Sequence, residues 1–211
     1  VRVNIRRGMQ KELFRQVQKR RLRQNTRSHY KKDYAIFKES LNIIKFYRAK
    51  NVLIFLPLQY EPNLVRFRRI LSQNCKLFVP FMQDKSLKIV KLRLPFSKKR
   101  FGVLEPNNSF CQTSLDLAFV PVIGVDKNMK RIGHGEGFYD RFFANLKHKP
   151  LVVFVQSITA LSGKKLTQEH DISAKFYLSP NRKYFKRDLK NDSINRIYRR
   201  FNRCGSWVFS R

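Results

Sequence analysis

The sequence is poor in acidic residues: it has 14 Asp and Glu against 46 Lys and Arg, a formal net charge of +32 in 211 residues. A charge of this size attracts polyanions such as nucleic acid, anionic lipid, or small molecules rich in phosphate or carboxylate. It says nothing about the fold. Because the basic residues are spread along the chain, a solvated basic surface is the simpler explanation for them.

Cysteine and long apolar runs are also scarce. Cys75, Cys111 and Cys204 are far apart, odd in number and without metal-ligand spacing, which favours free thiols in a reducing cytoplasm. No apolar run reaches the ~18 residues of a membrane span. The start, "VRVNIRRG", lacks the apolar core of a secretory signal. We therefore expect a cytoplasmic location, with Met9 as an internal start and residues 1–8 as a poorly ordered extension.

Apolar residues make up 42% of the chain, enough for a real core. Residues 9–50 lack proline and glycine and predict two helices with a break at residues 25–29, and "NLVRFRRILSQN" and "FYDRFFANLK" predict two more. Buried strands are predicted at "NVLIFLPLQ", "KLFVP", "LDLAFVPVIGVD", "PLVVFVQ" and "AKFYLSP". The alternation indicates an α/β fold. We predict a single three-layer, Rossmann-like domain over residues 9–180, with N-terminal helices and a largely parallel sheet. A basic tail over residues 181–211, helical in part or disordered, would follow it.

Ligands of such sheets bind where the strands end. Three features follow predicted strands: "LPLQYEP", "RIGHGEGFYDR" and "VQSITALSG". The second holds three of the eight glycines in five residues. Alternating glycines present backbone N–H groups in a concave nest that binds anions, and a helix start and flanking arginines add positive charge. The alternative is a tight turn before a helix. Asp140, beside such phosphate donors, is a natural ligand for Mg²⁺, or else an ordinary residue at a helix start.

Five segments, in this order and spacing, resemble the 5-formyltetrahydrofolate cyclo-ligase family: "LPLQYEPN", "FGVLEP", "DLAFVPVIGVD", "RIGHGEGFYDRF" and "EHD". A basic pair near the N-terminus, Lys11 and Arg15, fits the same pattern. The resemblance implies ATP-dependent closure of 5-formyltetrahydrofolate to 5,10-methenyltetrahydrofolate, with release of ADP and phosphate. The formyl oxygen would attack the γ-phosphate, and a folate nitrogen would then displace phosphate. Such phosphoryl transfer requires mainly positioning and charge neutralisation.

The resemblance also implies roles for particular residues. Arg131 and Tyr139 would be catalytic, and Asp140 and Asp171 would hold Mg²⁺. The reduced folate, including its polyglutamylated forms, would contact Leu56, Glu61, Phe138 and Tyr139. ATP would be bound by Lys11, Arg15, Arg131, Ile132, Gly133, His134, Gly135, Glu136, Gly137, Phe138 and Tyr139. Glu105 and Asp126 are weaker candidates that a structural role would also explain, and a general-base role for His134 or His170 is disfavoured against simple orientation.

Three departures from the family pattern stand out. Glu136 places a carboxylate in a loop expected to bind phosphate, His134 replaces a commoner aromatic residue or arginine, and the basic tail has no counterpart. The charge and the tail leave two alternatives open: a basic nucleic-acid-binding protein on an α/β scaffold, with the tail as the contact, or a family member without the activity.

Overall fold

The computed structural model describes residues 2–25, 29–83, 86–93, 95–98, 104–106, 111, 113–186 and 207–210. Its helices are α1 (Arg2–Gln24), α2 (His29–Tyr47), α3 (Arg68–Ser72, after a 3-10 turn at Leu64–Phe67) and α4 (Phe138–Ala144). The strands are β1 (Asn51–Leu53), β2 (Lys76–Gln83), β3 (Ser86–Lys91), β4 (Phe96–Lys98), β5 (Leu104–Pro106), β6 (Leu117–Pro121), β7 (Gly124–Val125), β8 (Arg131–Ile132), β9 (Leu151–Val155), β10 (Phe176–Leu178), β11 (Lys183–Lys186) and β12 (Trp207–Ser210). None of these helices is both long and apolar enough to span a membrane.

Eight strands form the main sheet, in the order β12-β11-β10-β9-β6-β1-β2-β3. The five strands from β10 to β2 are parallel, whereas β3 and β11 pair antiparallel with their neighbours. The three longest apolar runs of the sequence supply β1, β6 and β9 at the centre, where both faces of a strand are covered. The predicted α/β class with a largely parallel sheet is confirmed.

Side chains alternate between two cores on opposite faces of the sheet. Val52, Phe119 and Val153 point to the face that α2 and α3 cover. Leu53 and Phe154 point to the other face, which α4 covers. Successive residues of a strand face opposite sides, so continuous apolar runs build two cores at once. This is the predicted three-layer arrangement.

The N-terminal region forms two helices, as predicted; the first ends at Gln24 and the second begins at His29. The expectation of a poorly ordered extension is wrong for residues 2–8, because α1 begins at Arg2. Once a helix has nucleated, each added residue gains one backbone hydrogen bond, and only Gly8 interrupts this stretch of helix-compatible residues.

The C-terminal segment contributes strands to the sheet, where sequence reasoning expected helix or disorder. β11 pairs antiparallel with β10, and β12 pairs parallel with β11. The reason is visible at Tyr184 and Phe185, which are buried on opposite faces against Tyr177 and Phe176. Residues 187–206 and Arg211 lie outside the described residues, so the basic tail and any nucleic acid bound to it stay predictions.

Candidate active site

The predicted site elements meet at the carboxyl ends of the parallel strands. Leu56 and Glu61 follow β1, the glycine-rich segment follows β6 and the β7–β8 hairpin, and residues 156–163 follow β9. Residues 156–163 support the other two segments, since the Gln156 side chain donates to the Val122 carbonyl and the Tyr177 hydroxyl accepts from the Ala160 N–H. The loop after β1 and the glycine-rich segment face each other across a cavity.

Residues 133–137, here called the glycine loop, require glycine for physical reasons. Gly135 and Gly137 have φ values of 120° and 68°, which L side chains rarely adopt. Gly133 packs on the guanidinium of Arg131, where an added Cβ would lie 2.4 Å from Nη1. The loop conformation therefore depends on three missing side chains.

In the glycine loop, three carbonyl groups accept hydrogen bonds from side-chain cations. The Gly133 carbonyl accepts from Arg15 Nε at 2.8 Å, the His134 carbonyl from Lys19 Nζ at 3.2 Å, and the Glu136 carbonyl from Arg141 Nη2 at 2.8 Å. Within the described part of the chain, none of the N–H groups of residues 133–137 has a protein acceptor. Carbonyls bound to cations and unpaired N–H groups are the properties of an anion-binding nest.

One face of α1 contacts the glycine loop and the neighbouring Asp171. Lys11, Arg15 and Lys19 recur every four residues and contact, in turn, Asp171 and the carbonyls of Gly133 and His134. Lys11 and Arg15 were predicted here by resemblance. Lys19 was not predicted, although it lies one turn after Arg15 on the same face of the helix, and this spacing could have indicated that it also contacts the loop.

The opposite face of α1 carries apolar side chains that are exposed. Leu13 and Val17 are exposed, whereas Leu22, on the side of the helix that carries Lys11, is buried. The helix turns its cationic face inward because the carbonyls of the loop and the carboxylate of Asp171 offer that face better partners than the apolar side chains would find.

Arg131 connects the loop to the strand and to Asp140. It is 5% exposed, and its guanidinium donates to the Pro121 carbonyl at 3.3 Å and to Asp140 Oδ2 at 3.2 Å. The same group lies over the Tyr139 ring, 5.0 Å from its centroid. Burial raises the pKa of Tyr139, so its hydroxyl stays protonated. Arg131 is therefore a rigid cation held at the base of the loop.

Asp140 and Asp171 lie on one rim, as their predicted shared role requires. Asp140 Oδ1 accepts the Ile172 N–H at 3.2 Å, while Asp171 takes both bonds from Lys11 Nζ at 2.7–2.8 Å and one from the Gln168 N–H at 2.7 Å. The described residues contain no group of three or more metal-binding side chains. Two carboxylates suit a Mg²⁺ ion that arrives with phosphate and water as its other ligands; in this structure Lys11 pairs with Asp171 and Arg131 pairs with Asp140.

A cavity of about 440 Å³ lies between the loop after β1 and the glycine loop. All four residues predicted to contact the substrate line it: Leu56, Glu61, Phe138 and Tyr139. A larger cavity of about 880 Å³ includes Asp140, Asp171 and the exposed His170. The structure thus brings the predicted substrate residues together in one cavity and the predicted metal residues together in the other.

Glu61 is the most perturbed acid of the site. Its side chain is 6% exposed, and Oε2 accepts the Leu58 N–H at 3.0 Å. Burial raises the pKa of Glu61 to about 7, against the opposing influence of that N–H and of Arg131. A carboxyl with this pKa, facing a cavity, is typical of a ligand-binding site.

The remaining candidates divide between surface, scaffold and site. Glu136 is exposed at the edge of the cavity of about 440 Å³, and its carbonyl accepts from Arg141. His134 lines the cavity and bonds to Tyr60, a site residue that sequence reasoning missed because an isolated tyrosine in a loop has no distinctive pattern. The side chain of Glu105, in β5, lies outside the described residues.

Asp126 is structural rather than catalytic. It is completely buried and accepts hydrogen bonds from five donors: the N–H groups of Asn128, Lys130, Leu166 and Thr167 and the hydroxyl of Thr167. These bonds join the β7–β8 hairpin to residues 166–167, which precede Asp171.

Asp126→Ala should destabilise the fold by about 3 kcal/mol or more, because it leaves several buried donors unsatisfied. Urea unfolding followed by circular dichroism measures this loss. Since Asp126 does not line either cavity, the folded fraction should keep its ligand affinity. Stability equal to that of the unchanged protein would contradict the structural role.

Comparison with known proteins identifies the family of this chain. The model of the 5-formyltetrahydrofolate cyclo-ligase family matches residues 3–168. The 5-formyltetrahydrofolate cyclo-ligase of Haemophilus influenzae is 24% identical over 165 residues, which cover 74% of this chain and 88% of that protein. The Mus musculus protein of the same name is 26% identical over 146 residues, 61% of this chain and 72% of that protein.

Two solved structures share the fold. The 5,10-methenyltetrahydrofolate synthetase of Aquifex aeolicus superposes with a TM-score of 0.68 at 20% identity, covering 86% of this chain and 93% of that chain. The Mycoplasma pneumoniae synthetase superposes with a TM-score of 0.65 at 18% identity, covering 81% and 98%. At these identities the likeness establishes the architecture.

Proposed function

The chain belongs to the 5-formyltetrahydrofolate cyclo-ligase family, and we propose that it closes 5-formyltetrahydrofolate to 5,10-methenyltetrahydrofolate with consumption of ATP. One observation supports this most directly. The cavity lined by Leu56, Glu61 and Tyr139 opens onto a loop with unpaired backbone N–H groups and a ring of cations. A folate and a phosphate chain would therefore meet at one place.

The reaction has two displacement steps. The formyl oxygen attacks the γ-phosphorus of ATP, an O–P bond forms, and the bond from phosphorus to the β–γ bridging oxygen breaks to release ADP. The second folate nitrogen then attacks the formyl carbon, loses its proton and expels the former formyl oxygen as phosphate. An amide-type oxygen leaves poorly by itself, and phosphorylation makes it a good leaving group.

The cations of the site would neutralise the phosphate chain. Lys11 projects from α1 to Asp171 and Arg15 projects to the glycine loop, and the loop N–H groups would bind phosphoryl oxygens. Arg131, fixed by Asp140 and Tyr139, would place its charge beside the transferred group. Asp140 and Asp171 would hold Mg²⁺, which supplies charge neutralisation to the nucleotide phosphates when it is bound.

The folate would occupy the cavity of about 440 Å³. Leu56 and Phe138 offer apolar contact, and Glu61 would accept hydrogen bonds from the N–H edge of the pterin ring. Charge-assisted hydrogen bonds of this kind are stronger than neutral ones, so Glu61 binds best when it is ionised.

Folate affinity should consequently depend on pH. Glu61 in the free protein is protonated below its pKa of about 7, so binding to a donor edge must release a proton there. We expect KM for 5-formyltetrahydrofolate to fall about tenfold for each pH unit between pH 5.5 and 7, and to level off above pH 7. Initial rates at saturating ATP measure it, and a KM that is constant over this range would contradict the role of Glu61.

The function itself is tested by incubating the protein with 5-formyltetrahydrofolate, Mg²⁺ and ATP. The near-ultraviolet absorbance of the methenyl product should rise, together with release of one phosphate per product. Omission of ATP and a heat-inactivated sample are the controls. Absence of product above these controls would refute the proposal and favour a family member without the activity.

A further inference from the structure

Tyr60 and His134 form a hydrogen-bonded pair at the boundary of the cavity. The Tyr60 hydroxyl lies 2.7 Å from His134 Nε2, and the two ring centroids are 5.9 Å apart. Tyr60 belongs to the loop after β1, and His134 belongs to the glycine loop. The pair thus joins the folate side of the site to the phosphate side, and both residues line the cavity.

Both members of the pair are neutral at physiological pH. Burial lowers the pKa of His134 to about 4, and it raises the pKa of Tyr60 to about 12. Three cations face His134 and reinforce its neutral form: Arg15 and Lys19 from α1, and Arg131 from β8. The carboxyl of Glu61, from the loop after β1, also faces it.

The hydrogen-bond partners of Tyr60 and His134 favour one tautomer of the His134 imidazole. The phenol proton of Tyr60 has no acceptor among the described residues other than His134 Nε2. Glu61 Oε1 is 3.9 Å from Nε2, too far to accept a proton from it. If Tyr60 donates, Nε2 is the acceptor, and the ring proton of His134 is on Nδ1.

The Nδ1–H group has no acceptor within the described residues. We propose that Tyr60 is a positioning residue that fixes the Nδ1–H tautomer of His134, so that this N–H donates to a carbonyl or phosphoryl oxygen of the bound substrate. This inference deepens the proposed cyclisation and rests on it. It also accounts for a histidine in a loop otherwise served by backbone donors and cations.

Tyr60→Phe removes only the hydroxyl. Without that donor the ring populates both tautomers, and the neutral form loses a hydrogen bond that favours it. We expect kcat/KM for 5-formyltetrahydrofolate to fall about tenfold, the size of one hydrogen bond. Tyr30→Phe, on the exposed surface of α2, is the matched control.

The decisive experiment does not need catalysis. Long-range ¹H–¹⁵N spectra of protein labelled with ¹⁵N-histidine show which ring nitrogen carries the proton, and His134→Gln identifies the signal among the four histidines. We expect an unprotonated Nε2 in the unchanged protein and in Tyr30→Phe, and a mixture of tautomers in Tyr60→Phe. A protonated Nε2 in the unchanged protein, or ring signals and kcat/KM unaltered in Tyr60→Phe, would overturn the inference. An inactive protein with the expected tautomer would instead count against the proposed cyclisation.

Discussion

Asp140→Asn should reduce turnover by about a thousandfold while the protein stays folded. The asparagine keeps the shape of the side chain, and its amide oxygen can still accept the Ile172 N–H that Asp140 binds at 3.2 Å. It removes the negative charge 3.2 Å from Arg131 Nη1 and the proposed ligand to Mg²⁺. Loss of one preorganised electrostatic group costs about 10²–10³ in rate, and here the position of Arg131 is disturbed as well.

Turnover is measured by formation of the methenyl product, and binding of Mg-nucleotide by calorimetry. Asp116→Asn makes the same change of charge at the opposite edge of the sheet, where Asp116 accepts the N–H groups of Lys50 and Asn51 at 2.8 Å. That control should keep its activity. If Asp140→Asn retained turnover within tenfold of the unchanged protein, Asp140 would have no part in the chemistry.

Glu61→Gln should have opposite effects on stability and on binding. Its folded-state pKa of about 7 lies above the ordinary value of 4.5, so the ionised carboxylate destabilises the fold. The stability of the unchanged protein therefore falls as pH rises from about 4.5 to 7, and glutamine does not titrate. At pH 8 the variant should be more stable by about 1–3 kcal/mol, and at pH 4.5 the two proteins should unfold alike.

The same substitution should weaken folate binding about 10- to 100-fold, because a hydrogen bond to a charged acceptor is replaced by one to a neutral amide. Urea midpoints at pH 4.5 and 8 and the KM for folate measure the two effects. Glu169→Gln, an exposed carboxylate, should change neither. A variant that lost stability at pH 8, or that bound folate normally, would show that Glu61 is an ordinary structural residue.

Prediction from sequence succeeded where local chemistry decides the outcome. Continuous apolar runs predicted β1, β6 and β9, because a strand covered on both faces needs them. The spacing of Gly133, Gly135 and Gly137 indicated an unusual backbone, and two of these residues have positive φ. The resemblance placed Leu56 and Glu61 beside Phe138 and Tyr139 before any contact between them was visible.

Prediction failed where a residue's role depends on a partner far away in the chain. Lys19 and Tyr60 were missed because their partner in the site, His134, is 115 and 74 residues away. The tail was expected to be helical or disordered, whereas Tyr184 and Phe185 find buried positions against residues of β10. The cytoplasmic location and the binding of nucleic acid by the tail remain predictions.

By itself, the sequence determined the class of the fold, the order of its central strands and helices, and the backbone freedom of the glycine loop, since these follow from periodicity and from the absence of Cβ atoms. Only the tertiary structure decided which face of α1 turns inward, that Asp126 is a buried part of the scaffold, and how far the pKa of Glu61 rises. Each of these depends on which distant groups surround a side chain, and folding alone sets that environment.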